Sequence, residues 1–160
     1  MATQVQLKQI RNAALGFLTF HAGQQVPTVA LSPQTIYTVS GGPILIVSLV
    51  GKVSTVMSAT ATTLTVGLTP TEGAGSSAPA ALAAAGTITS LEVGTMVSLG
   101  ATAGAALQTG ANASTVILKG GPYYCSPGAI TLTGSATQTG ALKWYLNWIA
   151  LDDASNVVAV

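Results

Sequence analysis

The apolar and polar positions of this chain change their period near residue 34. Before it, Leu7, Ile10, Ala14 and Phe17 recur at helical spacing, which places them on one stripe of a short helix. Gly23, Pro27 and Pro33 then punctuate an extended segment. Residues 1–34 therefore read as an amino-terminal arm that contains a short helix and is not part of a sheet. From residue 35 onward strand signals dominate. Residues 36–40 are short and β-prone, and Gly41-Gly42-Pro43 is a turn. Residues 44–58 form a long β-branched run in which Gly51 suggests a bulge or bend. Residues 62–68 alternate Thr with Leu and Val, leaving one face apolar.

A Pro, Gly and Ser loop fills residues 69–78, and residues 79–85, closed by Gly86, predict one or two helical turns. Strand signals recur at residues 87–91, 95–99, 115–119 and 129–133. The strongest strand is residues 141–151, where Leu142, Trp144, Leu146, Trp148 and Ala150 share one face. Burying that face would anchor the core, because aromatic side chains carry the largest apolar areas. Asp152 to Asn156 carry turn chemistry, and residues 157–160 return as a last strand. Many short strands with little helix predict an all-β chain, a β-sandwich or jelly roll over residues 35–160. Gly-Gly-Pro stands before Ile44 and again before Tyr123, which suggests two equivalent corners.

Charge sharpens this picture. Five Lys and Arg and four Asp and Glu leave 6% of the 160 residues charged, where a soluble domain is typically about 25% charged. Such a chain sits in a membrane, or packs against copies of itself or a larger scaffold. A spanning helix needs roughly 18 uninterrupted apolar residues. The best stretch, residues 43–57, is broken by Ser48, Gly51, Lys52, Ser54 and Thr55. An outer-membrane barrel needs aromatic girdles, and only 5% of these residues are aromatic. Lys8 and Arg11 ahead of residues 13–20 imitate a signal peptide, but that apolar run is short and broken by Gly16. A net charge of +1 carries no footprint for nucleic acid. Neither a membrane nor a nucleic acid is expected as a partner. The lone Cys125 cannot form an intrachain disulfide.

Candidate chemistry is sparse. His21 has no Cys, Asp or Glu near it in sequence, so it reads as incidental rather than as a metal ligand. Cys125, in a strand-like run after Tyr123 and Tyr124, reads as core packing, since a nucleophile needs a base. Asp152 and Asp153 read as turn residues; on extended chain they would face opposite ways. No glycine run matches a phosphate loop. The expectation is no catalysis, no cofactor, no metal and no small-molecule substrate. An enzyme would have to gather Glu72, Glu92, Asp152 and Asp153 through the fold.

The order of segments is recognisable. Tyr37-Thr38-Val39-Ser40-Gly41-Gly42-Pro43-Ile44-Leu45-Ile46 opens the sheet region, and Val93-Gly94-Thr95-Met96-Val97 lies mid-chain. Pro127-Gly128-Ala129-Ile130 leads to Gly140-Ala141-Leu142-Lys143-Trp144-Tyr145-Leu146, and the chain closes on Val157-Val158-Ala159. Over residues 35–160 this resembles small virion structural proteins of tailed bacteriophages, several of which decorate or cement the head. The resemblance implies a jelly roll or related sandwich. It also implies a homotrimer on the capsid exterior, made in the host cytoplasm and bridging the major capsid protein where capsomers meet. Partner contacts are then expected from the arm, at Leu7, Lys8, Ile10, Arg11, Phe17 and Phe20. The alternative is a tail or tail-tip component, including a receptor-binding module, for which Tyr123, Tyr124 and Tyr145 are the aromatics to follow.

Overall fold

The computed structural model describes residues 17–20, 32–71, 80–100, 104–110 and 122–160. Among them the chain is all-β, without a helix. The strands are β1 (Phe17–Phe20), β2 (Gln34–Ser40), β3 (Ile44–Thr55), β4 (Thr63–Pro70), β5 (Ala80–Thr87) and β6 (Met96–Ser98). They continue with β7 (Gln108–Gly110), β8 (Tyr123–Cys125), β9 (Gly128–Gly134), β10 (Ala141–Ala150) and β11 (Asn156–Ala159). One sheet runs β1-β10-β3-β6-β7, with β8 also on β3, and the other runs β11-β2-β9-β4-β5. Every pairing between named strands is antiparallel. Both sheets contribute to a single hydrophobic core.

β10 is the spine of the first sheet. Leu142, Trp144, Leu146 and Trp148 are buried, as alternation predicts, while Lys143 is exposed and Tyr145, Asn147 and Ile149 are half-buried on the other face. Its partner β3 keeps its own apolar residues inside by a less regular route. The register skips Val47 between Asn147↔Ser48 and Trp148↔Ile46, and skips Ser54 between Ala141↔Thr55 and Leu142↔Val53. Each extra residue is a bulge that switches which parity points inward. Ile44 and Ile46 are buried before Val47, and Leu49, Gly51 and Val53 after it. The bulges are therefore at Val47 and Ser54 and not at Gly51, where the sequence suggested one. β2 uses the same device: its register skips Ile36, so Ile36 and Tyr37 are both buried.

Gly51 has a different task. It lies opposite Trp144, and a Cβ placed there would come within 3.1 Å of the indole. The bare backbone makes room for the ring. Trp144 is fully buried, and its indole N–H has no hydrogen-bond partner among the described residues. An aromatic of this size removes ~150–250 Å² from water, worth about 4–6 kcal/mol at 25 cal/mol per Å². The unmade N–H bond costs only about 1–3 kcal/mol, so burial prevails. From the opposite sheet, the Tyr37 hydroxyl donates to the Trp144 carbonyl at 2.9 Å, in a buried site just past the end of the β1 pairing.

Three further expectations are corrected. Residues 80–85 are strand, not helix: β5 pairs with β4 through two register shifts. Alanine is the strongest helix former, but intrinsic propensity is a small energy that tertiary pairing overrides. The small side chains suit a close approach, because Ala84 bridges to Ala106 and a Cβ on Gly86 would lie 2.6 Å from that of Leu107. This bridge also joins an edge of the second sheet to the segment entering β7. The strand expected at residues 87–91 does not form; β5 ends at Thr87, and Thr89 and Ser90 turn. Residues 17–20 belong to the sheet, with Phe17 opposite Trp148 and Phe20 opposite Tyr145, so the helical stripe does not extend to Phe17. The outer backbone edge of β10 needs hydrogen-bond partners, and a β-prone Phe-Leu-Thr-Phe run supplies them. The rest of the expected helix lies outside the described residues, as do residues 115–119.

The corner at Gly41-Gly42-Pro43 packs against the turn that follows β10. The Leu151 N–H and the Ser155 hydroxyl both donate to the Pro43 carbonyl, at 3.1 and 2.8 Å. Gly41 has φ +77°, and a Cβ there would sit 2.0 Å from the Ala154 carbonyl oxygen. Gly120 and Gly121 of the second Gly-Gly-Pro lie outside the described residues. The strand after it, β8, pairs antiparallel with the strand after the first, with Ile44 opposite Cys125.

Tyr37→Phe should lower the unfolding free energy by about 1–3 kcal/mol, because the Trp144 carbonyl is left buried without its donor. A denaturant midpoint shift at unchanged slope checks this; an unchanged midpoint would contradict it. Gly41→Ala should cost more than about 1 kcal/mol, since both φ and the Ala154 carbonyl oppose a side chain. Thermal unfolding against wild type measures that loss.

Candidate partner-binding surface

Of the residues expected to hold a partner, Leu7, Lys8, Ile10 and Arg11 lie outside the described residues. Phe17 and Phe20 lie at the two ends of β1, on the edge of the first sheet. The six are therefore not shown to share a surface. His21 and Glu72 also fall outside the described residues.

The acids that are described sit apart. Glu92 lies in the turn before β6, where the Gly94 N–H donates to Val53 near the far end of β3. Asp152 and Asp153 follow β10 at its other end, beyond the pair Ala150↔Ile44. Asp152 Oδ1 accepts from the Ala154 N–H at 3.1 Å, and the Ser155 N–H donates to the Asp152 carbonyl at 3.0 Å. These bonds make Asp152 a turn-builder, as its sequence neighbours suggested. A two-carboxylate glycosidase site needs its acids ~5–10 Å apart, and opposite ends of a ten-residue strand do not provide that. No group of three or more His, Cys, Asp and Glu that could hold a metal ion occurs among the described residues.

Cys125 is buried on β8, and burial pushes its thiol up to about 12. The cause is desolvation of the thiolate. A group held protonated in this way makes a poor nucleophile. Gln138 is a buried polar residue that sequence reasoning passed over. Its amide carbonyl accepts from the Ser58 N–H at 2.8 Å and from the Ser58 hydroxyl, and its NH₂ donates to the Ser58 and Thr60 carbonyls, both at 3.2 Å. Both ends are satisfied, so it braces the β3–β4 connection. A lone Gln in a Thr-rich loop carries no sequence signal for that role.

What remains is surface. On the outer face of the first sheet, Tyr124, Leu45 and Ile149 form a row across β8, β3 and β10. Tyr124 is 62% exposed and neighbouring Val47 38%. Tyr123 is half-buried, with its hydroxyl donating to the Gly100 carbonyl at 2.8 Å, which ties β8 to the segment after β6. Further along the same face Lys143 and Lys52 stand directly opposite each other, both exposed. No helix among the described residues is long and apolar enough to cross a membrane. No family model, curated protein or solved structure matches the chain.

The Cys125 thiol gives a testable consequence. Its folded pKa lies above the unfolded value of ~8.5, so its contribution to stability is complete below that value. The contribution is lost as pH rises toward about 12. Stability should fall between those limits, and Cys125→Ala should flatten that part of the alkaline profile. A native thiol that reacts with a disulfide reagent at pH 8 as fast as the denatured chain would contradict this.

Proposed function

We propose that this chain is a structural virion protein that decorates and stabilises a bacteriophage capsid at capsomer junctions, without catalysis. The observation that carries the reading is the strand order. With β7 and β11, which each extend one end of a sheet, and β8, which branches off β3, set aside, eight strands remain. The first pairs with the eighth (β1 with β10), the second with the seventh (β2 with β9), the third with the sixth (β3 with β6) and the fourth with the fifth (β4 with β5). That is one long hairpin. Curling it brings the third strand onto the eighth and the fourth onto the seventh, which are the remaining contacts within the two sheets. This order supports a jelly roll, an architecture common in viral capsid and lectin domains.

The charge content supports the same reading. Few surface charges mean little desolvation penalty when faces pack together. Many copies on one lattice then add weak contacts into a large effect. In this reading the chain is a homotrimer on the capsid exterior, bound to the major capsid protein, and the arm residues Leu7, Lys8, Ile10 and Arg11 reach the shell. The second reading is a tail-tip receptor-binding module. Tyr124 favours it, because an exposed ring is a stacking platform for a sugar, and lectin domains share the architecture.

The test begins by separating heads from tails of particles that contain the chain and locating it in one fraction. Purified chain is then added to expanded shells that lack it. Saturable binding, with greater resistance of the shell to heat, is expected. Recovery with tails alone would overturn the decoration reading and favour the tail module. Combined Leu7→Ala, Ile10→Ala, Lys8→Glu and Arg11→Glu substitutions should reduce shell binding at least tenfold, a loss of about 1.4 kcal/mol. Unchanged binding would remove the arm from the contact.

A further inference from the structure

The described charges are segregated. Lys52 and Lys143 are the only described cationic side chains, and they face each other across β3 and β10. Like charges directly opposite on neighbouring strands destabilise a sheet. Glu92 lies in the nearby turn, so this end carries two positive charges and one negative. Exposed Val56 and Val93 flank it. The other end of β10 carries Asp152 and Asp153, both exposed, beside exposed Leu151. At ~3.4 Å per residue, Lys143 and Ala150 are about 24 Å apart, and the acidic turn lies beyond Ala150. The two ends of one molecule cannot meet.

From this we infer that the lysine pair on the outer face of the first sheet is a docking site for the Asp152–Asp153 turn of a second copy of this chain. The charges are complementary, each is exposed, and apolar residues stand beside both. Asp152 is already fixed by its own turn, so little ordering is needed on binding. A contact between two different surfaces of identical chains is heterologous, and it forms a ring if the rotation closes. The inference rests on the self-assembling structural role proposed above and supplies a contact for the trimer.

Charge reversal tests it in the full chain. Lys52→Glu with Lys143→Glu reverses the face. Asp152→Asn with Asp153→Lys reverses the turn, and Asn retains the side-chain acceptor for the Ala154 N–H. Association is followed by sedimentation equilibrium at low salt, and each variant's thermal midpoint reports that it is folded. Each reversal alone should weaken association at least about tenfold. The two together should restore it, the signature of a direct coupling. Raising the salt until the Debye length is about 3 Å should weaken the wild-type contact. Association that ignores both reversals, or a combined variant no better than either alone, overturns this interface. So does a wild-type chain that stays monomeric at low salt. None of these outcomes decides whether the chain is found with heads or with tails, so failure of the interface and failure of the decoration reading are read separately.

Discussion

Trp144 is the constraint around which the two sheets are organised. It is fully buried on the strand that joins β1 to β3, and its carbonyl takes the Tyr37 hydroxyl from the opposite sheet. The indole demands a position without a side chain on the neighbouring strand, and Gly51 provides it. If Gly51 sits opposite Trp144, β3 must be in register there, so the irregularities fall elsewhere. They fall at Val47 and Ser54, which lets one strand pair along the full length of β10. Hydroxyl, ring and bare backbone are therefore one arrangement, and changing any of them disturbs the others.

The same economy shapes the surface. Several polar groups inside the described fold are met by backbone and by neutral side chains, as Gln138 does for Ser58 and Thr60 and Ser155 does for Pro43. Among the described residues, charges occupy a few exposed places at the two ends of the β3–β10 pair. In the proposed role, a chain built in this way presents faces that are inexpensive to dehydrate, with orientation set by a small number of ionic contacts. That division of labour suits a lattice component, where neighbours are fixed and many interfaces repeat.

Alternation made most of the sheet legible in advance. The buried face of β10 follows from Leu, Trp, Leu and Trp at every second position, and β4 follows from Thr alternating with Leu and Val. The turn chemistry of Asp152 to Ser155 was legible too, because Asp and Ser side chains satisfy nearby backbone groups without help from the rest of the fold. Reading failed where a local preference met a distant partner. The alanine run of β5 favours helix by itself, yet β4 and the segment at Ala106 hold it extended. Phe17 continues a helical stripe by spacing, yet it lies opposite Trp148, more than a hundred positions away. The lysine pair was invisible for the same reason. Lys52 and Lys143 are ordinary exposed residues until the register of two strands sets them side by side.

By itself, then, the sequence determined the all-β class, the inward face of the central strand and the inert setting of Cys125. Periodicity, turn residues and side-chain volume act over a few positions and need no knowledge of the rest. The tertiary structure alone decided the strand order, the sites of the bulges, the conversion of β5 to strand and the placement of charge at opposite ends of β10. Each of these depends on which backbone groups pair across long sequence separations, and no local preference encodes that choice.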